Sequence, residues 1–372
     1  MGANVYPFGK RKPRAGHKKS YTDQDVQFGG DPDHVVLHGA SAGAGSVAQQ
    51  LAAYNGRDDG LFVGAVPEST FWPTQRTIPE MQPQYDLISL ITGCTGTVDT
   101  LTCLRALDIS KIQAVNTQSS FPGAPSEPLP LWYFLPVVDG TFITGQLWDS
   151  FQNGNIVKVP LLVGDDTNEG SDFAPDASSQ SDVSAFFLAN YPGLNETQLQ
   201  AINDVYPLMP PITLHAAYFP SASAAYGEST FICPGNHMAA GMAASLSPDQ
   251  VWNYRWNVQD PAYTALGLGV AHTTETTAIF GYPYSADEAS FAPGALNADM
   301  VPLTMDYFIS FVTTLNPNTI KNPTAPNWDP WGTGGTGNRL KFELNDTVME
   351  TVPGDQQQRC EMWQSLAPYM EV

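Results

Sequence analysis

The sequence contains few basic residues. Its 372 residues include 16 Lys and Arg against 37 Asp and Glu, which gives a formal net charge of -21 at pH 7. The field of such a chain repels polyanions, so the composition argues against nucleic acid and against an anionic membrane surface as partners. Solubility is the simplest reason for the acidity.

Long apolar runs are also missing. No stretch approaches the roughly 20 apolar residues of a membrane-spanning helix, and the basic beginning lacks the apolar core of about 7–15 residues that a secretion signal requires. No internal repeat, low-complexity tract or linker is visible. We therefore expect no transmembrane segment, no signal peptide in this chain, and a flexible leader over residues 1–25 before one folded unit over residues 26–372.

Apolar residues make up 42% of the chain, which is enough to bury a sizeable core. Apolar spacing of three and four residues predicts helices that include Thr100–Ala106 and Asp299–Leu315. Alternation of such helices with strands predicts an α/β fold with a mostly parallel sheet flanked by helices. Runs rich in β-branched residues predict strands at His34–His38, Leu61–Ala65, Val159–Val163 and Val251–Val258.

The segment Gly39-Ala40-Ser41-Ala42-Gly43 has the G-x-S-x-G pattern of a nucleophile elbow. In such an elbow the serine lies in a strained turn between a strand and a helix, and small neighbours let the backbone pass and expose the hydroxyl. The pattern also arises by chance in glycine-rich chains, where it marks only a structural turn. Strand-like residues before it and helix-compatible residues after it favour Ser41 as a nucleophile.

A serine nucleophile needs a histidine base, and in this strand–turn–helix context the chain order is serine, acid, histidine. Of the six histidines, three do not follow the serine, and His215 and His237 lie in alanine-rich surroundings typical of packed or surface residues. His272 ends the glycine-rich run LGLGVAH after the strand-like VWNYRWNV. An imidazole at such a loop can project into a site, which favours His272 as the base over a plain loop histidine.

For the acid, the strand-like KVPLLVG leads into DDTNEGSDF, which offers Asp165, Asp166, Glu169 and Asp172. The residues alone leave all four open as the partner of the histidine. A calcium-binding EF-hand loop is disfavoured, because the segment lacks the alternating oxygen ligands and the terminal glutamate of that loop.

Four cysteines and two glycosylation sequons, at Asn195 and Asn345, are typical of an oxidising compartment. Cys94 and Cys103 flank a polar turn that could close as a small loop. The alternative is four buried thiols.

Five segments follow one another along the chain: FGGDPDHVVLHGASAGAGSV, AVPESTFWPTQRT, FLPVVDG, VPLLVGDDTNEGSDF and GVAHTTETTAIFG. In content and order they resemble the type-B carboxylesterase/lipase family, a group of α/β-hydrolases that includes cholinesterases and fungal lipases. The resemblance covers nearly everything from Phe28 to the C-terminus. It implies an α/β-hydrolase fold and a serine carboxylic-ester hydrolase that acts on a small-molecule or lipid ester, without a metal or other cofactor.

The resemblance also implies a role for each matching residue. Ser41 is the nucleophile, His272 the base and Glu169 the acid, while the backbone N–H of Ala42 is one oxyanion donor. Two disulfide bonds are implied, Cys94–Cys103 and Cys233–Cys360.

Three further residues correspond to the family's substrate pocket. Ser69 falls where many members keep a second serine near the triad, and the alternative is a turn or helix-cap serine. Trp132 and Phe134 fall where the family builds its acyl pocket, although aromatic residues at such positions are as often part of the core.

The sequence departs from the family pattern at its beginning. In the family, several strands, a glycine-rich loop with further oxyanion donors and a secretion signal precede the elbow, and residues 1–25 resemble none of these. We therefore expect a partial domain of a secreted parent family, lacking the N-terminal strands and with an incomplete oxyanion hole. The alternatives are a non-catalytic cholinesterase-like binding protein and a truncated remnant without function.

Overall fold

The computed structural model describes residues 30–285, 289–333 and 337–372, so the expected leader at residues 1–25 lies outside the described residues. The strands are β1 (Val36–Ala40), β2 (Gly64–Glu68), β3 (Arg76–Thr77), β4 (Val137–Val138), β5 (Leu161–Asp166), β6 (Val251–Trp256), β7 (Asn338–Phe342) and β8 (Val348–Thr351). Within the described residues six of them form one sheet, in the order β1-β2-β5-β6-β7-β8. Neighbours are parallel from β1 to β7, and β8 is antiparallel to β7. The short strands β3 and β4 form a separate parallel pair.

Helices follow most strands. The longer ones are α1 (Ala42–Gly56), α2 (Ile78–Ile91), α6 (Gln180–Asn190), α7 (Glu196–Val205), α8 (Phe219–Gly227), α9 (Cys233–Ser245), α12 (Met300–Thr314) and α13 (Gly354–Met370). The shorter ones are α3 (Thr100–Arg105), α4 (Ile109–Val115), α5 (Leu147–Gln152), α10 (Pro261–Ala265) and α11 (Thr276–Phe280). A π-helical segment, Glu228–Ile232, joins α8 to α9, and 3₁₀ turns lie at Pro248–Gln250 and Ala289–Phe291.

The sheet is covered on both faces. All six residues of β5 are buried, as expected of a parallel strand with a helix layer on each side. Leu161 and Val163 belong to one core, which also takes in side chains of α1, α5, α6, α9 and α13. Leu162 belongs to the other core, with side chains of α12 such as Tyr307 and Phe311. The predicted α/β architecture is therefore confirmed.

Three of the four predicted strands begin two or three residues later than the sequence suggests. Two of these three, β2 and β5, end on polar residues that the pattern assigns to loops, because parallel neighbours continue the pairing there. Glu68 lies opposite Ala40 and Gly164, and Asp166 lies opposite Trp256. Consequently the carboxyl edge of the sheet carries buried acidic side chains.

Both disulfide bonds implied by the family resemblance are present, with Cα–Cα distances of 5.7 Å for Cys94–Cys103 and 5.1 Å for Cys233–Cys360. The second joins α9 to α13 across 127 residues of sequence. In the part of the chain that the structure describes, no helix is long and apolar enough to cross a membrane.

Replacing Cys233 and Cys360 by serine should lower the free energy of unfolding more than replacing Cys94 and Cys103. The loops closed are 127 and 9 residues, and in the chain-entropy account the longer one contributes about 2 kcal/mol more. Urea unfolding of the two double variants measures the difference. An equal or larger loss in the Cys94/Cys103 variant would contradict this.

Candidate active site

Ser41 lies alone between the last residue of β1 and the first residue of α1. Its backbone has φ 58° and ψ -121°, a conformation that non-glycine residues adopt only where the surroundings enforce it. The N–H of Ser41 donates to the carbonyl of Glu68 on β2 at 3.0 Å, and this bond fixes the turn against the sheet. Strand, turn and helix therefore place the Ser41 hydroxyl at the carboxyl edge of the sheet.

The two glycines of the elbow have different roles. A Cβ atom on Gly39 would lie 2.5 Å from the carbonyl carbon and oxygen of Gly43, so Gly39 allows the chain to fold back on itself. A Cβ atom on Gly43 would meet nothing within 4 Å. Only the first glycine is required by the close approach of the backbone.

Glu169 lies in the turn that follows β5, which we call the acid turn (residues 167–172). Its side chain is fully buried, and its Oε1 accepts the backbone N–H of Asp166 at 2.7 Å. A Cβ atom on Gly170 would lie 1.9 Å from the carbonyl oxygen of Ser223, so α8 packs directly on this turn. The close packing holds the carboxylate in one position.

His272 lies in the loop between α10 and α11, which we call the histidine loop (residues 268–275). Its Nε2 is 2.7 Å from the Ser41 hydroxyl oxygen, and its Nδ1 is hydrogen-bonded to Oε2 of Glu169. Of the four carboxylates that the sequence left open, Glu169 is the one in contact with the imidazole. The structure thus brings Ser41, His272 and Glu169 together in a single hydrogen-bonded row.

Hydrogen bonds join the acid turn and the last residue of β5 to the histidine loop on both sides of the imidazole. The N–H of Asn168 donates to the carbonyl of Val270, and the N–H of Val270 donates to Oδ1 of Asn168, each at 2.9 Å. Oδ2 of Asp166 accepts the N–H of Thr273 at 2.7 Å, and its Oδ1 accepts the hydroxyl of Thr274 at 2.9 Å. These four bonds set the distance between carboxylate and imidazole.

Burial disfavours charge on both members of the pair. It lowers the pKa of His272 to about 4 and raises the pKa of Glu169, against the opposing effect of the Asp166 backbone N–H. The rings of Phe173 and Phe231 lie on the imidazole, with centroids at 4.9 and 4.6 Å, and exclude water from it. The imidazole is therefore neutral at pH 7 and able to accept a proton from the serine.

An aromatic wall continues from the imidazole to the surface. Trp132 is 39% exposed and packs edge-on against Phe71 and Phe173, with centroids at 5.6 and 6.0 Å. Its indole N–H donates to the hydroxyl of Tyr226 at 3.2 Å. The sequence predicts Trp132 as a pocket residue but does not predict Phe71, Phe173 or Phe231. Phe71 and Phe173 lie inside two of the segments that resemble the family, which is the signal that could have found them.

The two other predicted pocket residues lie in different settings. Phe134 is 40% exposed and contacts Tyr133, with ring centroids 5.0 Å apart. Ser69 is fully buried, with φ 51°, and its hydroxyl lies 3.2 Å from Oδ2 of Asp166 and 3.4 Å from Oε1 of Glu275. Ser69 is close to the acid turn and the histidine loop but turned toward the buried acids behind them.

The remaining sequence predictions lie at exposed backbone. Ala42 is the first residue of α1, where a backbone N–H has no partner within the helix. Asn195 is exposed and caps α7 through its side-chain oxygen, whereas Asn345 is exposed in the turn between β7 and β8, with φ 62°. Among the described residues, no group of three or more His, Cys, Asp or Glu side chains is arranged to hold a metal ion.

A model of the carboxylesterase family matches residues 24–363. The chain belongs to the carboxylesterase family. The crystal structure of Aspergillus niger EstA superimposes on it with a TM-score of 0.90 and 53% identity, over 95% of this chain and 68% of that chain. The expected α/β-hydrolase fold is thereby confirmed.

Two curated relatives are named as secreted lipases. Secreted lipase 1 of Botryotinia fuckeliana is 30% identical over 84% of this chain and 55% of its own length. Secreted lipase 4 of Gibberella zeae is 26% identical over 87% of this chain and 58% of its own length. This carboxylesterase-family chain therefore spans a little over half the length of the two lipases.

Replacing Gly39 by alanine should destabilise this carboxylesterase-family protein by about 1–3 kcal/mol, because the new methyl group overlaps the carbonyl of Gly43. The matched variant Gly43→Ala has open space for its methyl group and should be neutral or slightly stabilising. Thermal unfolding of the two variants gives the comparison. Equal stability of both would refute this account of the elbow.

Proposed function

We propose that the chain is a serine carboxylic-ester hydrolase whose catalytic triad is Ser41, His272 and Glu169. The observation that carries the proposal is the hydrogen-bonded row in which Ser41 Oγ lies 2.7 Å from Nε2 of His272 while Glu169 holds Nδ1. This arrangement gives a neutral base in contact with an alcohol and a carboxylate on the opposite ring nitrogen, as acyl transfer through serine requires. Membership in the carboxylesterase family supports it.

The proposed reaction has two halves. Ser41 Oγ attacks the ester carbonyl while Nε2 of His272 takes its proton. The tetrahedral intermediate collapses, the alkoxide leaves with that proton, and the acyl group remains on Ser41. A water then attacks the acyl-enzyme through the same base, releasing the acid and restoring the serine. Glu169 keeps the Nδ1 proton of His272 in place and stabilises the imidazolium that forms in each half.

We assign the backbone N–H of Ala42 as an oxyanion donor, because it opens α1 next to Ser41. A donor of this kind contributes about 10²–10³ in turnover, because it stabilises the negative charge that develops on the carbonyl oxygen.

The proposed substrate is a small-molecule or lipid ester with an apolar acyl or aryl group. The wall formed by Phe71, Trp132, Phe173 and Phe231 begins at the imidazole, where such a group would pack. We retain Trp132, together with Phe134 and Ser69, as predicted pocket residues. The names of the two lipases support an ester substrate.

We also propose that Asn195 and Asn345 are glycosylated, which the names of the secreted relatives support. Both residues are exposed in sequons, which makes their amides reachable.

A fluorophosphonate probe tests the nucleophile. We expect covalent labelling of the folded chain that is lost in Ser41→Ala and kept in Ser46→Ala, which removes the next serine along the chain. Circular dichroism of each variant verifies folding. Absence of labelling on folded wild-type protein would overturn the proposal and favour the non-catalytic binding alternative.

The pH dependence tests the base. Because burial lowers the pKa of His272 from 6.5 to about 4, the neutral base persists down to about pH 5, and the rate falls only as the pH drops through about 4. Phe173→Ala admits water to the imidazole and should move this acid limb toward pH 6.5. The rate of fluorophosphonate labelling against pH measures both. A wild-type limb at 6.5 or above would contradict the account.

A further inference from the structure

Five carboxyl side chains are buried at the carboxyl edge of the sheet, namely Glu68, Asp165, Asp166, Glu169 and Glu275, and each is at most 4% exposed. A buried carboxylate is costly unless a cation or a hydrogen-bond donor compensates it. Within the described residues a basic side chain faces three of the five: His38 pairs with Glu68, His272 pairs with Glu169, and Arg339 faces Asp165. Asp166 and Glu275 lie against each other instead.

The contacts of Glu275 leave one oxygen without a donor. Its Oε1 accepts the hydroxyl of Tyr254 at 3.0 Å, whereas its Oε2 is buried and has no N–H or O–H donor among the described residues. The Ser69 hydroxyl lies 3.2 Å from Oδ2 of Asp166 and 3.4 Å from Oε1 of Glu275, so the two carboxyl groups lie close together, within reach of a shared proton. One proton shared by the two carboxyl groups supplies the missing donor and leaves a single negative charge on the pair.

Asp166 touches both loops of the triad but none of the reacting atoms. Its backbone N–H donates to Glu169, and its side-chain oxygens accept from Thr273 and Thr274. Thr273 directly follows His272 and has φ 62°, so the bond from Asp166 to its N–H holds a strained position in place. The contacts of Asp166 are those of a positioning residue.

The charged surroundings oppose a second negative charge on the pair. Burial and the neighbouring Glu275 and Glu169 raise the pKa of Asp166, and burial together with Glu68 raises the pKa of Glu275 to about 7. The other ionisable groups facing the pair are Tyr254, whose own pKa is raised, and the ion pairs of Glu68 with His38 and of Glu169 with His272. Ionisation of both carboxyl groups would place two charges in one dry site.

A cavity of about 210 Å³ reaches Asp166 from behind the triad. It is lined by Asp165, Asp166 and three arginines, Arg255, Arg339 and Arg359, and its lining does not include the three triad residues. The Asp166 side chain itself is fully buried, so the shared proton is screened from solvent.

We propose that Asp166 is a positioning residue for the reaction: as a neutral acid bonded to Glu275 it holds the histidine loop against the acid turn, and alkaline loss of the shared proton loosens that contact. The proposal rests on the proposed function, because the loop in question carries the base.

Two substitutions of Asp166 separate charge from shape. Asp166→Asn keeps an oxygen for the histidine loop and an N–H donor for Glu275, but it has no proton to lose, and kcat at pH 7 should stay within about threefold of wild type. Asp166→Leu has a side chain of similar size without the oxygens that accept from Thr273 and Thr274. The imidazole should then be misplaced, which should lower kcat by about 100-fold with little change in KM. In the profile of kcat against pH, the alkaline limb should lie about one pH unit or more higher in Asp166→Asn and in Glu275→Gln than in wild type.

Two kinetic results would overturn the proposal. One is an unchanged alkaline limb in Asp166→Asn, which would mean that no shared proton is lost there. The other is an Asp166→Asn variant that is folded by near-UV circular dichroism yet as impaired as Asp166→Leu.

An infrared measurement is independent of turnover and so separates this proposal from the proposed function. The full chain at neutral pH should show a carbonyl stretch of a protonated carboxylic acid that disappears in Asp166→Asn. This holds whether or not Ser41 reacts with a fluorophosphonate. A wild-type spectrum in which Asp166→Asn removes no such band would refute the shared proton.

Discussion

The site depends on the hydrogen bonds that hold the acid turn against the histidine loop. Glu169 and His272 are 103 residues apart in sequence, and neither loop can place its own side chain alone. The paired bonds of Asn168 with Val270, and the contacts of Asp166 with the residues after His272, set their separation. Because the carboxylate fixes the Nδ1 side of the imidazole, these bonds also direct Nε2 toward Ser41.

The parallel sheet explains why three distant segments meet. The elbow follows β1, the acid turn follows β5 and the histidine loop comes after β6, and the carboxyl ends of all three strands lie at one edge. The strand β2 lies between β1 and β5 and adds Glu68 and Ser69 to the same edge. This arrangement leaves a dense group of buried acids behind Ser41, which histidines, an arginine and, as we propose, a shared proton compensate.

The order of apolar and polar residues predicts much of this fold. Whether a segment forms a strand or a helix, and the elbow around Ser41, depend mainly on residues that are neighbours in the sequence. The sequence does not predict the polar ends of β2 and β5. Glu68 and Asp166 are part of these strands only because they pair with residues that are distant in the sequence. The residues alone do not decide which of four carboxylates pairs with His272, whereas the family resemblance selects Glu169. Phe231 had no signal, because its contact with the imidazole comes from the π-helical segment forty-one residues earlier in the chain.

Proton NMR tests most directly whether the three side chains meet. A buried imidazole N–H bonded to a carboxylate resonates far downfield of ordinary amides, so the folded chain should show such a signal from Nδ1 of His272, distinct from any signal of His38, which pairs with Glu68. We expect the His272 signal, identified by its loss in His272→Ala, to be lost in Glu169→Ala as well and kept in Asp172→Ala. Absence of the signal from the folded protein, or its survival in Glu169→Ala, would contradict the meeting of Glu169 and His272.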